Sequence, residues 1–76
     1  MIEKELWQRL QEIASIIDVA GYHCYAKEHP LNFCLETTSE LIFCELIIPY
    51  TNHITTISIF HNRISNINLT DIISIK

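Results

Sequence analysis

The sequence predicts an α+β domain: an N-terminal amphipathic helix packed on an antiparallel sheet of four to five strands. Three observations carry this. Ile2, Leu6, Leu10, Ile13, Ile17 and Ala20 recur every three or four residues and draw one stripe down a helix. After Gly21 the pattern changes to short runs rich in β-branched and aromatic residues. The chain has 76 residues, 49% of them hydrophobic, with one glycine and two prolines, which sets it apart from disordered sequences. A single domain of this size buries only roughly 60–65% of its unfolded surface, so a disulfide, a metal or a second subunit is the usual reinforcement.

The helix is expected over about residues 2–20. Glu3 and Glu5 lie in its first turn, where carboxylates complement the macrodipole, and Glu5 and Arg9 form an i, i+4 pair. Gly21 is placed to end it in a left-handed conformation. Trp7 widens the apolar stripe and reads either as a half-buried core aromatic or as an interface anchor.

Antiparallel strands follow from about residue 22 to 75. Tyr22 to Lys27 reads as the first strand, Glu28-His29-Pro30 as a turn, and Leu31 to Glu36 as the second. Leu41 to Ile48 is apolar on both faces, which predicts a central strand covered on both sides. Pro49 to Asn52 is a turn, His53 to Phe60 a further strand, and His61-Asn62-Arg63 a tight turn into Ile64 to Leu69. Residues 70–76 fit a last strand, with a short helical turn opened by Thr70 or Asp71 as the alternative. One helix covers one face of a sheet, so a C-terminal segment or a second copy must cover the other. A small SH3-like barrel with an N-terminal helix is the competing architecture, because a bent sheet buries two-sided strands within one chain.

Net charge is −4, and the five Lys and Arg residues are scattered. Without a basic patch to displace counterions from phosphate, direct binding to nucleic acid is not expected. No leader with an apolar core is visible, no apolar run approaches a membrane span, and three cysteines do not make a disulfide framework; a reduced, cytoplasmic protein is expected. Asn68-Leu69-Thr70 matches a glycosylation acceptor, read as coincidence without secretion.

Chemistry has few carriers. Cys24, Cys34 and Cys44 fall at intervals of ten beside His23, His29, His53 and His61, but lack the close ligand pairs of structural zinc sites. Buried thiols acting as small hydrophobes are the expectation, with no metal and no cofactor. A Cys–His nucleophile would need a low-pKa thiolate in a cleft, for which so short a chain has little material. Glu36, Glu40 and Glu45 flank a polar loop; Glu45 alone interrupts an apolar run, as an edge guard or an interface charge. With a single glycine, phosphate-cradling loops are excluded.

These observations predict a protein without catalysis that binds another protein as inhibitor or adaptor of a larger complex, a phage or mobile-element protein blocking a host defence system being one form. The contact candidates are Trp7, Tyr22, Tyr25, Tyr50 and Phe60, with Glu45 and Arg63 as rim charges. A homodimer, a structural homo-oligomer and a Cys/His metal- or thiol-dependent protein are the rival expectations.

Overall fold

The computed structural model describes residues 1–76. Helix α1 (Glu3–Ile13) is followed by strands β1 (Ser15–Val19), β2 (Tyr22–Ala26), β3 (Phe33–Thr37), β4 (Leu41–Cys44), β5 (Leu46–Pro49), β6 (His53–Ser58) and β7 (Arg63–Asn68). A 3-10 turn (Leu69–Asp71) then leads into β8 (Ile72–Ile75). The strands form two antiparallel sheets, ordered β1-β2-β5-β6-β7 and β4-β3-β8. The α+β class and the helix-on-sheet arrangement are those expected from the sequence.

The helix is shorter than its apolar stripe. It stops at Ile13, Ala14 turns extended, and Ser15–Val19 pairs with β2 from Ser15↔Ala26 to Val19↔Tyr22. Ile16, Ile17 and Val19 are β-branched and lose side-chain freedom in a helix, so a strand suits them better. Ala20 and Gly21 both have positive φ, at 51° and 84°, the left-handed pair of a two-residue hairpin loop. Gly21 therefore closes a hairpin and does not end the helix, and Ile17 and Ala20 leave the helical stripe.

The expected strand Leu41–Ile48 is two strands. It breaks at Glu45, where one extra residue shifts the alternation: Ile42 and Cys44 point into the core from β4, and Ile47 does so from β5. Glu45 N–H still donates to Ile57 O at 3.1 Å, so the strand bends from one sheet to the other without losing its neighbour. This change of phase makes the run look apolar on both faces. Only the β5 half is covered on both, where Leu46 and Ile47 are buried; on β4, Leu41 and Phe43 remain 58% and 54% exposed.

The core lies between the sheets. Leu6 and Leu10 enter it from α1, Tyr25, Ile47, Ile54 and Ile67 from the larger sheet, and Phe33, Leu35, Ile42, Cys44, Ile72 and Ile75 from the smaller. The expected last strand forms over Ile72–Ile75, while the helical turn comes earlier than the alternative placed it, over Leu69–Asp71 with Asn68, and not Thr70 or Asp71, at its N-cap. The helix is tied down along β8: Arg9 Nε donates to Ile75 O at 2.8 Å, and the Met1 amino group to Leu69 O at 3.0 Å and Ile72 O at 3.1 Å. The two sheets share the bent strand but do not close into a barrel, because β7 has no strand partner beyond β6. No helix is long and apolar enough to cross a membrane.

Candidate functional site

Directly opposed residues share a face of a sheet, so register defines the two faces of the larger one. Tyr25, Ile47, Thr56 and Ser65 fall in one row, and with Ile54 and Ile67 they face the core. The other face holds Ala26, Leu46, Ile57 and Ile64 in one row and Ile17, Cys24, Ile48 and Thr55 in the next. Along all five strands this outer face carries no Asp, Glu, Lys or Arg. The helix lies on the core side, and β8 belongs to the smaller sheet, so neither covers it.

Tyr22 and Tyr50 sit at one end of the outer face. Tyr50 stacks on His53 at 4.6 Å between ring centroids, and its N–H donates to His53 O at 2.9 Å. At the other end, Phe60 and Leu31 border a shallow cleft against Leu46 and Ala26. Phe60 is 85% exposed at the tip of the β6–β7 turn, and Ile64 is 71% exposed on the edge strand. Ile17, Ile48, Ile57 and Ile64 were not among the sequence candidates. Their signal is that β6 is apolar on both faces, through Ile54 on one and Ile57 on the other.

The remaining contact candidates are engaged within the chain, and of them only Glu45 lines the Phe60 cleft. Tyr25 is 4% exposed and has almost no surface to offer; Trp7 packs edge-on to it at 6.1 Å, and Trp7 Nε1 donates to Glu3 Oε1 at 3.3 Å. Glu45 turns back on its own chain, accepting the N–H groups of Ile59 and Phe60 at 2.9 and 3.4 Å. Arg63 pairs with Glu40 at 3.2 Å beside a groove of about 270 Å³ between β4 and the β6–β7 hairpin. Of the candidates, the fold gathers Tyr22, Tyr50, Phe60 and, in the cleft beside Phe60, Glu45 around one surface, and disperses Trp7, Tyr25 and Arg63.

Two of the three thiols have their pKa raised by burial. Burial pushes the Cys44 thiol from 9.0 up to about 12, with smaller contributions from Glu45 and Cys34. Burial, and then the Asp18 carboxylate, also push the Cys24 thiol up. A catalytic thiolate needs the opposite shift. No three His, Cys, Asp or Glu side chains converge at ligating distance. The clefts hold about 270 to 330 Å³, at the lower end of what small-molecule sites need. Comparison with protein-family models, with curated proteins and with solved structures finds no match.

Proposed function

We propose that the chain is a protein-binding module that docks a partner on the outer face of its five-stranded sheet, acting as inhibitor or adaptor of a larger assembly. The observation that carries this reading is a charge-free, β-branched sheet face in a protein with nine acidic and five basic residues. An uncovered apolar surface rimmed by aromatic side chains is the usual form of a protein-docking site. Tyr22, Tyr50 and Phe60 supply such a rim. Free cysteines suit the reducing cytoplasm.

The test is affinity capture with the wild type and with Ile48→Lys and Ile64→Lys, each checked for folding by circular dichroism. A partner held in stoichiometric amount by the wild type should lose at least ~2 kcal/mol of binding, roughly thirtyfold, in both variants. A partner that both folded variants retain at full affinity places the docking site elsewhere.

A further inference from the structure

We propose that β1 is the pairing edge for a second copy of this chain, joining two five-stranded sheets into one continuous sheet about a two-fold axis at Ile17. The proposal deepens the reading of the chain as an interaction module, and rests on it, by naming one partner and one register.

The two sheets have four edges between them, and they differ in how they are guarded. The β8 edge is covered by α1, with Arg9 and the Met1 amino group occupying the carbonyls of Ile75 and Ile72. The β7 edge presents Arg63, Asn66 and Asn68. The β4 edge is four residues long and looks into the groove against Thr56 and Ser58. By contrast, β1 pairs with β2 along its whole length without a bulge, contains no Lys, Arg or Pro, and has all five residues exposed.

The backbone of β1 is arranged to accept a strand. Its two-residue loop is closed by Val19 and Tyr22, and the pair that closes such a loop is hydrogen-bonded. Alternation then turns the N–H and C=O groups of Ser15, Ile17 and Val19 toward β2, and those of Ile16 and Asp18 outward. An antiparallel second copy centred on Ile17 sets Ile16 of each copy against Asp18 of the other, each pair exchanging both N–H···O bonds. Ile17 meets Ile17 on the axis, and Ser15 meets Val19.

The charges fit this arrangement. Each Asp18 carboxylate lies opposite an isoleucine and never opposite its own copy, and it stays hydrogen-bonded at 2.8 Å to His23 of its own hairpin. The interface is its own complement, so it closes at two copies, whereas a β1–β7 contact would run on as a filament. It also places the uncharged outer faces of the two copies side by side.

A five-residue strand pair is small beside standard interfaces, so sedimentation and amide exchange are read from about 10 µM to about 1 mM. The expected result is a monomer–dimer equilibrium in which the Ile16 and Asp18 amides gain protection as concentration rises. Asp18→Pro removes the outward N–H together with the carboxylate's bond to His23; Asp18→Ala removes that bond alone. Asp18→Pro is compatible with an edge strand and should weaken the dimer at least about tenfold relative to Asp18→Ala. A monomer throughout the range overturns the proposal. So does a dimer with those two amides unprotected, or one that Asp18→Pro leaves intact. If Asp18→Pro does not fold, protection of the wild-type Ile16 and Asp18 amides decides alone. Loss of self-pairing with retained, Ile48- and Ile64-dependent capture of another protein removes this proposal and leaves the docking face standing; the reverse pattern removes the docking face.

Discussion

Cys44 shows how strongly a single position can bind the fold to pH. Its thiol is buried in the core and pushed from 9.0 to about 12, so the folded chain holds that proton where the unfolded chain releases it. Stability from this group is complete below pH 9 and is lost as pH rises from 9 toward 12, because there the native state binds more protons. Denaturant titrations at increasing pH should show this alkaline loss, and Cys44→Ala should flatten it; an unchanged slope in the variant would assign it to other groups. A few residues away, Glu45 accepts two N–H groups of the β6–β7 turn. Glu45→Ala leaves these donors to water and should cost about 1 kcal/mol of unfolding free energy. Of the two roles expected for Glu45, edge guard and interface charge, neither describes the bonds it makes. The sequence marked it as unusual, since it interrupts an apolar run, but the turn it serves lies fourteen residues further along the chain.

At the scale of elements, the β1–β2 hairpin explains where sequence reading held and where it slipped. Glu3 to Ile13 combines strong helix formers with a three-and-four apolar spacing, and that segment is helical. The same spacing runs on through Ile17 and Ala20 by coincidence, while Ile16, Ile17 and Val19 are β-branched. Periodicity alone favoured helix; side-chain entropy and the left-handed loop favoured strand, and they prevailed. Gly21 has φ +84° with open space around the position a Cβ would take. Gly21→Ala should therefore cost about 1 kcal/mol through backbone strain alone. Ala20→Asn places a residue that tolerates the left-handed region at φ 51°, giving the preferred Asn-Gly loop, and should stabilise the fold by a few tenths to about 1 kcal/mol. Thermal unfolding of the two variants reads both signs. If both substitutions move stability in the same direction, the loop is not the left-handed pair described.

At the scale of the molecule, the decisive feature is that one chain builds two sheets from a strand that changes phase. The inner side of that bend receives the helix. The outer face of the larger sheet receives only Pro30, Leu31 and Phe60 at one end, beside Ala26 and the buried Leu46, which leaves Ile17 and Ile64 exposed and Ile48 and Ile57 half-buried. A single helix covers one face of a sheet and leaves the other, whatever the strand register. Which isoleucines lie on the uncovered face does need register, because alternation puts Ile64 and Ile67 on opposite faces of the strand without saying which face is the core. Pairing decides it: Ile67 opposes the core residue Ile54, and Ile64 opposes Ile57 on the outside. Identical substitutions on this one strand should then have unlike effects. Ile67→Thr removes packed atoms and buries a hydroxyl, and should cost roughly 2–3 kcal/mol. Ile64→Thr changes a side chain already in water, and should stay within about 0.5 kcal/mol. Chemical denaturation of the pair measures the difference at low protein concentration, where self-association does not contribute. Equal costs would mean that both residues are packed within the chain, and the outer face would lose its claim to be a docking surface.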